Sequence, residues 1–420
     1  MGKHIHKQFS DEFVKSIFRK YLDNSLSVKQ ILSILKIKRR RFFYLIKLFK
    51  NDPDNFSITY KRKSSPRISK QLEYIIFQEL KKDKQLIDNE NIPIYNYNYS
   101  YIKSEILKKY KLNVSLTTII NRAKKYNFYI AKKKKLKHDR EIITNHPGEL
   151  IQHDSSHHLF APFAERKWYL ITSIDDYSRY LLYANLVEKE TSWAHILALE
   201  SVILNFGIPI RYYVDNHSIF RFIQGRDSIW RKHKKITDQS TPQFKQVLND
   251  LNIDITYALS PQAKGKIERP YRWLQDRLVR SLSKAGIKEI EQAREILQEE
   301  VDRYNNYQVH STTKEIPTVR LKRKIKEGES LFRKFRIPAP YKSSKDIFCI
   351  RTKRTVDAYH KISINNQEFR IKGVPLREKV EARITPNEEK GIAEIRFWYL
   401  GKLVDEQTMK IKSLNIDQII

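Results

Sequence analysis

The chain has 420 residues, 40% of them hydrophobic and 12% aromatic, which suits roughly two to four folded domains and excludes a disordered chain. Its 81 Lys and Arg against 48 Asp and Glu give a formal net charge of +33, which points to a polyanionic partner, although a bias toward A/T-rich codons accounts for part of the Lys excess. One cysteine, Cys349, excludes an internal disulfide framework and any two-cysteine zinc site, and no apolar signal core or membrane-length apolar run is seen, so a cytoplasmic chain without a membrane partner is expected.

Phe13, Val14, Ile17, Phe18, Tyr21 and Leu22 share one stripe of a helix over 11–22. Ser27 is suited to cap a second helix lined by Val28, Ile31, Leu32 and Leu35. A third follows with Phe42, Leu45, Ile46 and Phe49 on its apolar side. This is helix-turn-helix spacing, and Arg39, Arg40 and Arg41 open the third helix, where a recognition helix meets the major groove. A plain three-helix bundle with a solvated basic face would show the same pattern. Asn51-Asp52-Pro53-Asp54 closes this first unit, 1–60.

A second helix-turn-helix unit, winged-helix-like, is expected over 61–130. Ile68, Leu72, Ile75, Ile76 and Leu80 form one stripe, 85–99 read as a polar loop, and Tyr101, Ile102, Ile106, Leu107 and Tyr110 form the next helix. Ser115 caps a last helix with Leu116, Ile119, Ile120 and Ala123, which carries Arg122, Lys124 and Lys125. The basic linker 131–145 contains KKKKLK, suited to phosphate contact that adds affinity without sequence choice.

From 146 to 310 the pattern becomes α/β. Strands are expected over 149–154, ending on Asp154, over 168–174 and over 179–187, with Asp175-Asp176-Tyr177-Ser178 as a turn. A helix over 192–206 ends at Gly207. A strand over 210–214 ends on Asp215, a helix runs through Phe244, Val247, Leu248 and Leu251, and a strand covers 253–258. A helix bearing Glu268 and a charged helix over about 287–305 complete a mixed five-stranded core. A linker is expected over 311–344. Short strands over 345–420, punctuated by Asn365-Asn366, Gly373, Pro386-Asn387 and Gly401, suggest a small β-barrel.

Asp154, Asp215 and Glu268 come from three elements and supply only oxygen ligands, the set that suits two Mg²⁺ ions, with Mn²⁺ as a substitute, for in-line phosphoryl displacement. Each Asp alone would more often be a turn former. Glu268 alone would be a surface acid in an i,i+4 pair with Arg272. Its neighbours Lys264, Lys266, Arg269 and Arg272 fit DNA phosphates. Asp175 and Asp176 are explained by their turn, and His153, His157 and His158 by packing or phosphate contact rather than zinc. Glu188 and Glu190 read as a loop face.

HDSSHH around Asp154, YVDNHS around Asp215 and SPQAKGKIERPYRWLQDRL around Glu268 resemble the three signatures of the retroviral-integrase superfamily. Closest in pattern are bacterial insertion-sequence transposases with an Asp-Asp-Glu triad, and the resemblance covers most of the chain. It implies a multidomain protein: all-α helix-turn-helix units, a ribonuclease H-like α/β core and a small C-terminal β-barrel. It implies Asp154, Asp215 and Glu268 as catalytic metal ligands. The expected activity is cleavage of element ends by water, then attack of the freed 3′-OH on target DNA. Double-stranded DNA, both ends and target, and a homo-oligomer on that DNA follow as partners. The alternatives are a structure-specific nuclease on the same core and a sequence-specific DNA-binding regulator. Three features depart from the pattern. Asn216-His217-Ser218 follows Asp215, a basic insertion over 219–240 reads as a DNA-contacting loop, and Pro270 requires its helix to begin near Ile267.

Overall fold

The computed structural model describes residues 5–59, 68–131, 143–164, 166–215, 217–220, 242–258 and 265–414, with the backbone alone at 265–269. It contains two compact units, Met1–Glu73 and Tyr74–Ile420.

In the first unit, α1 (Asp11–Leu22), α2 (Val28–Leu35) and α3 (Arg39–Asn51) form a bundle. Ser10 caps α1 by accepting the Phe13 N–H. At α2, Ser27 and Gln30 form a reciprocal capping box, which satisfies two donors that the helix start leaves unpaired. The core is aromatic. Phe18 meets Phe42, Phe49 and Phe56 edge-on at 5.9, 5.6 and 5.6 Å.

Helix α4 (Lys70–Asp88) spans the boundary, and the second unit continues with α5 (Tyr99–Tyr110) and α6 (Leu116–Lys125), the last capped by Ser115. Its centre is a five-stranded sheet of β1 (Leu150–His158), β2 (Trp168–Asp175), β3 (Leu181–Val187), β4 (Arg211–Val214) and β5 (Asp254–Tyr257). The order is β3-β2-β1-β4-β5. The β1–β2 and β2–β3 pairs are antiparallel, and β1–β4 and β4–β5 are parallel, giving the expected mixed sheet. Helices α7 (Ser192–Phe206) and α8 (Gln243–Asp250) pack with Ile151, Tyr212 and Val214 on one face. On the other, α9 (Gly265–Ala285) and α10 (Ile290–Tyr307) pack with Trp168, Leu170, Ile174 and Leu186.

Two local expectations change. Strand β1 does not end on Asp154 but continues to His158, because β2 pairs with it along that whole length, as far as His158↔Trp168. Helix α9 begins at Gly265 rather than near Ile267, so Pro270 lies inside it. Proline there deletes one backbone hydrogen bond. Burial of Tyr271, Leu274, Leu278 and Leu282 against the sheet holds the helix regardless.

Helices α4 and α5 dock on α9 through buried charge. Arg280, fully buried, pairs with the equally buried Asp83 at 2.5 Å and with Asp276 at 3.0 Å, and donates to the Asn96 carbonyl. Arg277 pairs with Glu300 of α10 at 2.6 Å and lies over the Tyr101 and Trp273 rings. Lys284 sits over the other part of the Tyr101 contact, 4.6 Å from its centroid, with Glu79 at 3.8 Å.

Helix α11 (Pro317–Lys326) follows within the segment read as linker. Beyond it the chain straps the core: Leu331 donates to the Pro147 carbonyl, and Ile208 and Arg333 exchange backbone hydrogen bonds of 2.7 and 2.9 Å. Gly148 and Gly207 have positive φ, and a Cβ on either would meet Phe332 N at 2.7 Å or the Arg333 carbonyl at 2.6 Å.

The C-terminal part is not a closed barrel among the described residues. Strands β6 (Ile350–Thr355), β9 (Lys379–Asn387), β10 (Ile392–Tyr399) and β11 (Lys402–Lys410) form an open sheet in the order β11-β10-β9-β6. The intervening β7 (Lys361–Ile364) and β8 (Gln367–Arg370) make a separate hairpin. Closure is unnecessary because the apolar face is covered otherwise: Ile362, Ile364 and Phe369 of the hairpin share one core with Phe397, Ile395 and residues of α8. Asp250 of α8 also binds Arg351 at 2.5 Å.

Candidate active site

Alternation along β1 assigns its side chains to two faces. His153 reaches His195 of α7, whereas Ser156 receives a 2.7 Å hydrogen bond from Gln275 of α9. Asp154 shares the parity of Ser156 and so belongs to the α9 face. Its antiparallel partner is Thr172, whose hydroxyl donates to the Tyr271 hydroxyl of α9 at 2.9 Å.

Asp215 follows β4 directly, and its carboxylate accepts the His217 N–H at 2.9 Å, a tight local turn. The parallel register pairs Leu150 with Arg211 and Gln152 with Tyr213. The ladder stops there, so Asp154 and Asp215 each lie two residues beyond its last pair. Both carboxylates act on one group. Burial pushes the Tyr271 phenol well above its ordinary range, and Asp154, Glu190 and Asp215 add to that.

Position 268 lies one turn before Tyr271 and two turns before Gln275 in α9. The helix that touches β1 beside Asp154 is therefore the helix that carries Glu268. Its side chain lies outside the described residues, as do those of Lys266 and Arg269, and Lys264 lies outside them altogether. Among the described residues no three His, Cys, Asp or Glu side chains form a metal-binding group.

Glu190 is not a free loop face. It is half-buried between β3 and α7, where it accepts from Ser155 and lies 3.1 Å from Nε2 of His195. Burial would raise its pKa, but the hydrogen bonds from His195 and Ser155 hold it below the usual carboxylate range. Glu190 directly precedes Thr191, which caps α7. That cap places Glu190 at a helix start, but no local pattern joins it to Ser155, 35 residues earlier. Glu188 is exposed and pairs with Arg166.

The other candidates fall to structure. Asp175 is buried and accepts from the Gly148 N–H and from Ser178; burial pushes its carboxyl up to about 6. Asp176 binds Arg179, Gln152 and Thr144. His157 stacks on Tyr169 at 4.1 Å and His158 sits edge-on to Phe160. Burial, with Lys167 and His157 nearby, holds His158 below its ordinary pKa.

No family model matches the chain. Two curated relatives do: a putative transposase of Sinorhizobium fredii, 35% identical over 158 residues, and the transposase for insertion sequence IS1202 of Streptococcus pneumoniae, 31% identical over 221 residues. Over these stretches the chain is similar to insertion-sequence transposases. The matched stretches span 38% and 52% of the chain but only 33% and 42% of those relatives. Similar solved chains include the HTLV-2 integrase catalytic core domain in complex with magnesium, at 17% identity, covering 41% of this chain and 96% of that one with a TM-score of 0.31. A simian T-cell lymphotropic virus intasome in complex with a PP2A regulatory subunit covers 72% of this chain and 97% of that one, at 13% identity and a TM-score of 0.36.

The expected basic contacts are dispersed. Arg39, Arg40 and Arg41 are all exposed on α3, with Arg39 over Phe43 and Arg41 over Tyr44. On α6, Lys124 is exposed over the Tyr129 ring, while Arg122 is half-buried. Arg272 is exposed on α9. The KKKKLK run and most of the 219–240 insertion lie outside the described residues. Among the described residues no helix is long and apolar enough to cross a membrane.

Proposed function

We propose that the chain is a DNA transposase that cleaves element ends with water and joins the freed 3′-OH to target DNA. The supporting observation is that Asp154 on β1 and Asp215, directly after the parallel neighbour β4, both raise the pKa of Tyr271 on the helix that carries Glu268. The named transposase relatives support the same reading.

Asp154, Asp215 and Glu268 would hold two divalent cations. Their donor set is hard oxygen on rigid strands and a packed helix, which fits Mg²⁺ or Mn²⁺. When bound, the ions supply Lewis acidity to the attacking and leaving oxygens of an in-line displacement. The chain's own part is positioning. The pleat of β1 and the end of β4 would present the two aspartates to the metals, and α9 would supply the third acid. Lys264, Lys266, Arg269 and Arg272 would neutralise phosphates beside them. Arg39, Arg40, Arg41, Arg122 and Lys124 would bind the element ends, and a homo-oligomer would bring two ends together.

The test uses purified protein, Mg²⁺ and duplexes carrying the genomic flanks of the coding sequence. Joined products are expected, and they vanish in Asp154→Asn, Asp215→Asn and Glu268→Gln while DNA binding survives. Nicks without joining would replace this reading by a nuclease, and binding without cleavage by a DNA-binding regulator.

A further inference from the structure

Asp154 stands where β1 loses support on one edge. The parallel ladder with β4 ends at Gln152↔Tyr213, while the antiparallel ladder with β2 continues past Asp154↔Thr172. A strand held along one edge only can change its pleat, and that would swing the carboxylate.

Side chains brace the strand at this point. Ser155 donates to Oε1 of Glu190, and His195 Nε2 lies 3.1 Å from the same oxygen. Nδ1 of His195 is 2.8 Å from Nε2 of His153, whose Nδ1 is 2.8 Å from the Ser173 hydroxyl. With both imidazoles neutral, one proton arrangement satisfies every link. A carboxylate only accepts, so His195 donates from Nε2 and accepts at Nδ1. His153 then donates from Nε2 and accepts the Ser173 hydroxyl at Nδ1. In this arrangement every donor points toward Glu190. His153 is fully buried and stacks on Phe244 at 5.3 Å, so the chain of bonds is fixed by packing.

The two ends of this network meet the two residues that flank Asp154. We propose that Glu190 is a positioning residue for the Asp154 carboxylate, acting through Ser155 directly and through His153 by way of His195. Odd positions of β1 are tied down on the α7 face, so the even position between them is fixed on the α9 face, ready to hold a cation. This rests on the reading of Asp154 as a metal ligand.

The experiment compares full-length Glu190→Ala, Glu190→Gln and wild type. Two quantities are read: Mn²⁺ bound by the DNA-free protein, by electron paramagnetic resonance, and the Mg²⁺ concentration that half-saturates DNA nicking. Glu190→Ala is expected to weaken both about tenfold, the size typical of groups that orient metal ligands. Glu190→Gln is expected to restore most of the loss, because both bonds go to one oxygen that glutamine keeps. If Glu190→Ala does not fold, Ser155→Ala removes half the brace and is expected to give a shift of about threefold. A lower melting temperature with unchanged Mn²⁺ binding would overturn the proposal and leave a purely structural network. Should wild type fail to nick, or Asp154→Asn nick equally, the transposase reading fails instead, and the Mn²⁺ measurement still decides the role of Glu190.

Discussion

Helices α1–α3 are held by a cluster of phenylalanine rings, whereas α4 and α5 are held to α9 by buried Arg277, Arg280, Asp83 and Glu79. An apolar core is non-directional and can be completed from nearby sequence. A buried ion has to be met by a partner with the right charge and geometry, and Asp83 finds its partner 197 residues away. The second helical region is therefore built around α9, so a disturbance of its charges should reach that helix.

The largest expected effects test that difference directly. Asp83→Ala leaves Arg280 buried without its main partner and should cost about 3–5 kcal/mol. Hydrogen exchange should quicken in α4, α5 and α9 together; faster exchange in α4 alone would break the contrast. Phe18→Ala should cost a similar 3–5 kcal/mol through lost packing, read in the amides of α1–α3. Replacing both ions, Asp83→Leu with Arg280→Met, should return stability to within about 2 kcal/mol of wild type, because the desolvation of both charges disappears. A double variant as unstable as Asp83→Ala would mean that the ion pair itself is essential.

A pH scan sharpens the contrast further. The Asp175 carboxyl is raised by burial from its ordinary 3.8 to about 6. The folded protein therefore keeps a proton that the unfolded chain releases, and the second unit should lose stability as pH rises from about 4 to 6. The displacement corresponds to about 3 kcal/mol. The slope should be weaker in Asp175→Asn, measured by urea unfolding at each pH. An equal slope in both proteins would count against the burial of this charge. The smallest effect is Ser27→Ala, about 1 kcal/mol from the lost α2 cap, seen only in the first unit.

Much of this was legible because periodicity is local. The helices through Phe18, Leu35 and Phe49, the helix ending at Gly207 and the β4 strand ahead of Asp215 each announce themselves within a few residues. Partners far along the chain were not legible. Nothing near Glu190 points to Ser155, and nothing near residue 154 shows that β2 will carry β1 on to His158. The open C-terminal sheet was read as a barrel because short alternating strands look the same whether a sheet closes on itself or is covered by a hairpin and α8.

The strap at Gly148 and Gly207 has a consequence for how the C-terminal sheet is held to the core. Backbone packed against backbone leaves no room for a Cβ at either glycine, so the path from the core to the C-terminal sheet is set during folding. Under the proposed function, a duplex bound by both the core and that sheet would meet them in one fixed relation, so less rotational freedom would be lost on binding, and affinity gained this way would need no additional contact.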